Sequence, residues 1–239
     1  WQSIYKMPAK YFEQFDLVIG DEAHLFKSKS LTQIMTKLKS CKYRFGLTGT
    51  LDGAQTHKLV LEGLFGPVKN IVKTKELIDQ KHLSQFKIKC VVLKYPEDVT
   101  KNLTKKTYAE EVDWIVTNEQ RNKFITNLAL SLKGNSLVLF QFVDKHGKVL
   151  YNMIKDKAGD KPIHYVSGEV NADVREDIRA ITERSNESII VASFGTFSTG
   201  INIRNLHNIV FTSPSKSRIR TLQSIGRGLR KAENKDTAT

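Results

Sequence analysis

Two adjacent acids and a histidine follow a short apolar run near the start of the chain. Residues 17–24 read Leu-Val-Ile-Gly-Asp-Glu-Ala-His, so Asp21 and Glu22 come directly after a stretch typical of a buried parallel strand. Catalytic groups in open α/β sheets collect at the carboxyl ends of such strands. Acids at that edge fit Mg²⁺ binding by Asp21 and activation of an attacking water by Glu22. The pattern predicts nucleotide hydrolysis, against the plain alternative that both acids cap a surface helix.

A second apolar run ends in two threonines. Residues 43–47 read as another strand, and Thr48 and Thr50 leave its end within Gly-Leu-Thr-Gly-Thr. Their hydroxyls can bond to phosphate-sensing groups or to His24, or they can simply cap the following turn. Between the two strands, residues 31–38 carry apolar side chains at helical spacing, which predicts a core-facing helix.

The third chemically loaded segment lies near the end of the chain. On a helix, Gln223, Arg227 and Arg230 stand at i, i+4 and i+7 and project from one face. Two arginine forks on one face suit bidentate contact with phosphate oxygens, although a solvated basic helix is the simpler alternative. Glycine costs ~1 kcal/mol in a helix interior, so Gly226 and Gly228 beside Arg227 indicate that the helix backbone is closely approached there.

These segments resemble the motifs of superfamily 2 helicases. Asp-Glu-Ala-His is similar to motif II and Gly-Leu-Thr-Gly-Thr to motif III, while residues 1–3, 198–202 and 223–230 resemble motifs Ib, V and VI. Their order and spacing agree with that superfamily from the first residue to about Lys231. The Thr-Gly-Thr form of motif III favours the DNA-directed branch.

The resemblance implies a role for each matching residue. Residues implied to be catalytic are Glu22, Arg227 and Arg230, the arginines completing the ATP site from a second domain. Residues implied to contact ATP are Asp21, Gly200, Asn202 and Gln223, with Asp21 as the magnesium ligand. Residues implied to couple the ATP state to domain position are His24, Thr48 and Thr50. Residues implied to contact nucleic acid are Gln2, Ser3, Ser167, Gly168, Ser198 and Thr199.

The implied function is that of an ATP-dependent DNA helicase or translocase that uses ATP and Mg²⁺. Recombination helicases of this superfamily act on branched DNA and R-loops in recombination, replication and repair, so branched or duplex DNA and RNA–DNA hybrids are the implied partners. Nothing in the chain matches Gly-x-x-x-x-Gly-Lys-Ser/Thr, the loop that cradles nucleotide phosphates. We therefore expect a fragment that begins after this loop and that alone hydrolyses ATP no faster than background. A non-hydrolysing nucleic-acid-binding module and a related RNA helicase are the alternatives.

Composition agrees with a soluble intracellular nucleic-acid enzyme. The 239 residues carry a formal charge of +13, the usual electrostatic footprint of a phosphate-backbone binder, although solubility also favours charge. Cys41 and Cys90 lie in no metal-spaced cluster, so free thiols in a reducing cytoplasm are expected. No apolar stretch approaches the ~20 residues of a membrane span. These features predict a cytoplasmic protein, in the host cytoplasm if a phage encodes it.

The order of elements predicts two tandem RecA-like α/β domains with parallel sheets. Residues 1–80 form the end of an incomplete first domain, a linker lies near 67–106, and residues 81–239 form the second domain. Predicted helices span residues 74–82, 108–133, 147–157 and 174–184, followed by a final helix. Predicted strands span residues 87–95, 136–142, 163–166, 188–192 and 209–212.

Overall fold

The computed structural model describes residues 1–51, 55–200 and 203–239, and the chain divides into two compact units, Trp1–Lys73 and Thr74–Thr239. Each unit combines helices with parallel strands, so the predicted α/β class is confirmed. Cys41 and Cys90 are free thiols, as expected. Among the helices of the described residues, none is long and apolar enough to cross a membrane.

The first unit is built on two parallel strands. Its strands are β1 (Leu17–Gly20) and β2 (Tyr43–Gly46). Its helices are α1 (Ala9–Phe12), α2 (Lys29–Lys37) and α3 (Gln55–Phe65), with a 3₁₀ helix at Ala23–Lys27. The strands pair from Leu17 opposite Tyr43 to Gly20 opposite Gly46. Their carboxyl ends, and therefore Asp21 and Leu47, emerge side by side.

One face of this short sheet packs on a core and the other does not. The α2 residues Leu31, Ile34 and Met35 are buried, as the helical spacing predicted. Ile19 of β1 and Phe45 of β2, however, are 59% and 54% exposed, so the prediction of a buried strand is wrong for β1 in this unit. A parallel strand is buried only when layers cover both faces, and no second layer covers these side chains within the described residues.

Glycines at the strand ends allow two aromatic rings to approach. A Cβ at Gly20 would lie 2.8 Å from the Phe26 ring and 2.9 Å from the Phe65 ring, and one at Gly46 would lie 3.0 Å from Phe65. The Phe26 and Phe65 rings themselves meet edge to face with centroids 5.0 Å apart. The two rings therefore pack against the ends of β1 and β2, directly before the polar residues that follow these strands.

The second unit contains a four-stranded parallel sheet, in which β5 (Ile163–Val166), β6 (Ile189–Ser193), β4 (Ser136–Phe140) and β7 (Asn208–Phe211) lie side by side in that order. Its strands are β3 (Gln85–Phe86), β4 (Ser136–Phe140), β5 (Ile163–Val166), β6 (Ile189–Ser193), β7 (Asn208–Phe211) and β8 (Thr237–Ala238). Its first helices are α4 (Thr74–Asp79), α5 (Glu97–Leu103), α6 (Tyr108–Thr117) and α7 (Glu119–Ser131). Its later helices are α8 (Lys148–Lys155), α9 (Ala172–Arg184), α10 (Phe194–Gly200) and α11 (Arg218–Gly228). Strands β3 and β8 form a separate parallel pair.

Both faces of the four-stranded sheet are covered. Along β4, Leu137 and Leu139 join the core that includes Ile178 of α9, whereas Val138 and Phe140 join the core that includes Leu150 of α8. Successive strand residues point to opposite faces, so a continuous apolar run fits a sheet packed on both sides. The alternation of helices and strands predicted a parallel sheet in this unit, and that prediction is confirmed.

Two predicted elements differ from the structure. The predicted strand over residues 87–95 is absent beyond β3, because β8, its only ladder partner among the described residues, is two residues long. The predicted helix over residues 108–133 is two helices. Asn118 interrupts it with an extended backbone, and its side chain accepts a hydrogen bond of 2.8 Å from the Arg121 amide at the start of α7. Asparagine favours such caps because its carbonyl satisfies a free helix amide.

Candidate functional site

The turns that follow β1 and β2 are hydrogen-bonded to one another. The Leu47 amide donates to the Gly20 carbonyl, and the Ala23 amide donates to the Leu47 carbonyl, both at 2.8 Å. These bonds extend the strand pairing past the sheet edge. We call Asp21, Glu22, His24 and Thr48 the strand-end cluster, because this pairing brings their turns together.

The backbone at Glu22 adopts an unusual conformation. Its φ of 48° and ψ of 50° lie in the left-handed region, which residues other than glycine rarely occupy. Asp21 Oδ1 accepts a hydrogen bond of 2.8 Å from the Glu22 amide, and Glu22 makes no side-chain cap on the 3₁₀ helix that follows. Local strain of this kind concentrates at functional sites. The helix-cap alternative therefore finds no support at Glu22.

A buried histidine connects the two turns. His24 Nδ1 lies 3.0 Å from Thr48 Oγ1 and 3.3 Å from Glu22 Oε2. Thr48 Oγ1 in turn donates to the Thr50 carbonyl at 2.9 Å. The structure thus brings together Glu22, His24, Thr48 and Thr50, all of which the sequence singled out. A change at the Glu22 carboxylate can reach the turn after β2 through a single imidazole ring.

The arginine segment of the second unit lies on and just beyond α11. Gln223 and Arg227 are half-buried on this helix, and the Arg227 guanidinium carbon lies 5.6 Å from the centroid of the buried Phe197 ring. A planar guanidinium over an aromatic face is held in orientation by that ring. Because α11 ends at Gly228, Arg230 lies past the helix. Its backbone forms an isolated antiparallel β-bridge with Leu83. The prediction that all three side chains share a helix face is therefore wrong for Arg230.

The two glycines of this segment differ in what surrounds them. A Cβ at Gly228 would lie 2.6 Å from Ile209 Cδ1, so α11 packs directly on β7 as the glycine predicted. At Gly226 nothing lies within 4 Å of such a Cβ, and the prediction of close approach is wrong there.

The residues expected to contact nucleic acid are placed differently from one another. Gln2 and Ser3 are exposed in the turns before α1, and Gly168 is exposed after β5. Ser167 is fully buried, so its hydroxyl is not on the surface. The backbone of Ser198, Thr199 and Gly200 forms the last turn of α10. The side chains of residues 198–200 and the whole of Asn202 lie outside the described part of the chain.

Comparison with known proteins shows similarity to helicases. A model described as helicase conserved C-terminal domain matches residues 119–232, and one described as type III restriction enzyme, res subunit, matches residues 2–53. Over its whole length the chain is 39% identical to the ATP-dependent DNA helicase uvsW of Enterobacteria phage T4, of which it spans 48%. The chain is therefore similar to superfamily 2 helicases along its whole length.

Other helicase relatives and solved structures agree. The putative ATP-dependent helicase IRC3 of Saccharomyces cerevisiae is 24% identical across 92% of the chain, which spans 33% of that protein. The crystal structure of T4 UvsW matches with a TM-score of 0.56 and 38% identity, over all of this chain and 47% of that one. A fragment of a putative HsdR subunit from Vibrio vulnificus matches at a TM-score of 0.74 and 17% identity, over 99% of this chain and 45% of that one, a likeness of fold alone. The RecA-like fold predicted from the sequence is thereby confirmed.

The chain also carries a polar cluster that the sequence did not single out. Beyond the carboxyl ends of β4 and β7, Ser213 Oγ accepts a hydrogen bond of 3.1 Å from the Gln141 amide and lies 3.1 Å from His146 Nδ1. Arg121 Nη2 donates to the Thr212 carbonyl at 2.6 Å. The same rule that singled out Asp21, polar residues at carboxyl ends of parallel strands, would have found Gln141 and Ser213.

His146 lies at the centre of this second cluster. It is fully buried within a turn of π-helix, Val143–Gly147, a geometry that recurs at functional sites. Burial, and secondarily the nearby charge of Arg121, lowers the pKa of His146 from 6.5 to about 4. The imidazole is therefore neutral at physiological pH, so it can both donate and accept hydrogen bonds.

The lowered pKa of His146 predicts an acid-sensitive second unit. Between pH 6.5 and pH 4 the unfolded chain binds a proton at His146 that the folded unit excludes. The stability present above pH 6.5 is thus lost as pH falls, by roughly 3 kcal/mol in total at 1.36 kcal/mol per pKa unit. Urea unfolding followed by Trp114 fluorescence in a Trp1→Phe background should show this loss, and His146→Gln should remove most of it.

The matched control is His82→Gln, because His82 is an exposed histidine of the same unit. His164, whose pKa burial also lowers, remains in every variant and contributes equally to each. If the free energy of unfolding fell equally steeply with pH in His146→Gln and in His82→Gln, His146 would not be the source of the acid sensitivity.

Proposed function

We propose that this chain is the catalytic-core segment of an ATP-dependent DNA helicase or translocase. The observation that carries the proposal is the strand-end cluster, in which a strained glutamate, a buried histidine and a threonine meet at the carboxyl edge of β1 and β2. Such an edge is where open α/β sheets place nucleotide chemistry. The chain spans about half of the phage helicase it matches, so the activity is proposed for the whole protein.

Within this proposal each member of the strand-end cluster has a chemical task. Glu22 orients and deprotonates the water that attacks the terminal phosphate. His24 senses the state of that carboxylate, since its ring contacts both Glu22 and Thr48. Thr48 and Thr50 carry the signal into the segment that follows β2, through the bond from the Thr48 hydroxyl to the Thr50 carbonyl.

Asp21 is the proposed magnesium ligand. It is exposed at the strand end, and one of its oxygens accepts the Glu22 amide hydrogen bond, which holds the carboxylate in place. Mg²⁺ in nucleotide hydrolases takes one or two carboxylates and completes its shell with water and phosphate oxygens, so a single aspartate fits. When bound, Mg²⁺ neutralises charge on the phosphates.

We assign phosphate stabilisation to the arginine segment and nucleic-acid contact to residues of both units. Arg227 and Arg230 neutralise charge that develops on the transferred phosphoryl group, and Gln223, Gly200 and Asn202 contact the nucleotide. Gln2, Ser3, Gly168, Ser198 and Thr199 remain proposed backbone contacts. The burial of Ser167 restricts it to supporting the Gly168 turn.

The proposed substrates are branched DNA and R-loops processed during recombination, replication and repair. Support comes from the phage relative, which is a DNA helicase, and from the net charge of +13, which suits a polyanionic partner. We place this activity in the cytoplasm, that of the host if the gene is phage-borne.

The test is ATP hydrolysis by the full-length protein with single-stranded, duplex and forked DNA, R-loops and RNA. Turnover stimulated most by forked DNA or R-loops is expected, with background turnover from residues 1–239 alone because the chain contains no phosphate-loop motif. Stimulation by RNA alone would favour an RNA helicase. Nucleic-acid binding without any hydrolysis would favour a binding module and would refute the enzyme.

A further inference from the structure

A buried lysine lies at the end of the arginine segment. Lys235 is 2% exposed, and its ammonium group donates to three backbone carbonyls. These belong to Gly228, to Arg230 at 2.7 Å and to Arg204 at 3.3 Å. No carboxylate pairs with Lys235 in the described ranges, so these carbonyls replace water around the charge. Burial lowers the pKa of this lysine to about 8.

The carbonyls that Lys235 contacts lie at the end of α11 and in the segment before β7. Gly228 is the last residue of α11, where helix carbonyls lack partners and the helix dipole is negative, so a cation there is favourable. Arg230 and Gly228 flank the turn by which the chain leaves this helix, directly after Arg227. Arg204 precedes β7, shortly after the segment that resembles motif V. One ammonium group therefore joins the two backbone segments that carry proposed ATP contacts.

A second buried polar residue holds the same turn from the opposite direction. The Ser84 amide donates to the Leu229 carbonyl at 2.9 Å, and its hydroxyl donates to the Arg230 carbonyl at 3.4 Å. The Arg230 carbonyl thus accepts from both Lys235 and Ser84. Because these hydrogen bonds hold the carbonyls, the backbone of this turn moves little. The positions from which the Arg227 and Arg230 side chains extend are restricted with it.

We propose that Lys235 is a positioning residue for ATP hydrolysis, which holds the backbone at Arg227 and Arg230 and ties it to the segment before β7. The inference rests on the proposed function, since it assigns Lys235 to the arginines of that reaction. Lys235 does not touch the nucleotide. Its charge is required because a neutral side chain of the same length cannot satisfy three carbonyls.

The experiment compares Lys235→Met, Lys235→Arg and Lys231→Met in the full-length protein. Lys231 is the matched control, because it too donates to a carbonyl, that of Lys81, but from an exposed position. Lys235→Met should lower kcat for DNA-stimulated ATP hydrolysis at least about tenfold while KM and DNA affinity change less than about threefold, because small displacements of catalytic groups are costly. Lys235→Arg should restore part of kcat, and Lys231→Met should leave it unchanged.

Turnover is expressed per folded molecule, so that a loss of stability alone does not imitate a loss of kcat. A kcat for Lys235→Met at the wild-type value, or an equal loss in Lys231→Met, would overturn the positioning role. If Lys235→Met does not fold, Lys235→Gln replaces it, with the same expected loss. An inactive wild-type protein would instead refute the proposed function.

Amide hydrogen exchange in the 239-residue chain tests the restraint without catalysis. The Leu229 amide, which donates to Ile225 at 3.0 Å, should exchange slowly in the wild type and at least about tenfold faster in Lys235→Met, while β4 amides do not change. Fast exchange at Leu229 in the wild type would show that Lys235 restrains nothing, and the inference would fail on that result alone.

Discussion

Replacement of Glu22 by glutamine should abolish most ATP turnover in the full-length protein while ATP and DNA still bind. Glutamine keeps the size of the side chain but has no carboxylate to take a proton from water, and loss of a general base commonly costs ~10²–10⁴-fold. Glu22 Oε2 lies 3.3 Å from His24 Nδ1. The adjacent acid, Asp21, is assigned to Mg²⁺, so we expect that it does not replace Glu22 as the base. Steady-state hydrolysis, with nucleotide and DNA affinities measured separately, provides the comparison.

Glu13→Gln is the matched control, because Glu13 is an exposed glutamate of the same unit outside the strand-end cluster. It should hydrolyse ATP at the wild-type rate. If Glu22→Gln did so too, Glu22 would not be the base. If Glu22→Gln lost ATP binding together with turnover, the carboxylate would act in binding, and the assignment of water activation would be withdrawn.

The sequence predicted the second unit better than the first, because the second unit contains the helices that cover both faces of its sheet. The apolar run of β4 implies cover on both faces, and α8 and α9 lie within the same chain segment to provide it. The similar runs of β1 and β2 carry the same implication, but the described residues supply a layer for one face only. A run of apolar residues indicates that a strand needs cover on both faces. It does not indicate which part of the protein supplies the covering helices.

Hydrophobic periodicity also gave a wrong prediction where strand formation depended on a partner strand distant in the sequence. Residues 87–95 alternate as a strand should, yet a strand forms only where another strand bonds to it, and β8 reaches only two residues. Local chemistry was similarly ambiguous at Gly226 and Gly228, since only Gly228 faces the Ile209 side chain. The buried contacts of Lys235 could not be predicted at all, because nothing in the sequence marks which carbonyls a lysine will meet.

The strand-end cluster could be predicted because its chemistry and its geometry share one cause. Parallel strands must end at the same edge, so polar residues directly after β1 and β2 must become neighbours. His24 and Thr48 are separated by 24 residues and still meet at 3.0 Å. No comparable rule connects α11 to the phosphate it is proposed to stabilise, and the role of Arg227 therefore depends on experiment.

Replacement of Arg227 by lysine should reduce DNA-stimulated ATP turnover at least roughly tenfold in the full-length protein and leave DNA affinity nearly unchanged. Arginine that stabilises developing charge in phosphoryl transfer is worth ~10³–10⁵ in rate in related hydrolases, and tenfold is a cautious part of that range. Lysine keeps the charge but loses the planar fork, and with it the orientation that the guanidinium gains over the Phe197 ring.

Arg218→Lys is the control on the same helix. Arg218 is exposed and stands nine residues before Arg227, which places it on the opposite side of α11 at ~3.6 residues per turn. Turnover should be unaffected there. DNA affinity, measured for each variant at one fixed salt concentration because backbone contacts are salt-dependent, separates the two possible roles of Arg227. If affinity fell in proportion to turnover in Arg227→Lys, the guanidinium would be a DNA contact, since a group that acts only on the phosphoryl transition state leaves DNA binding intact.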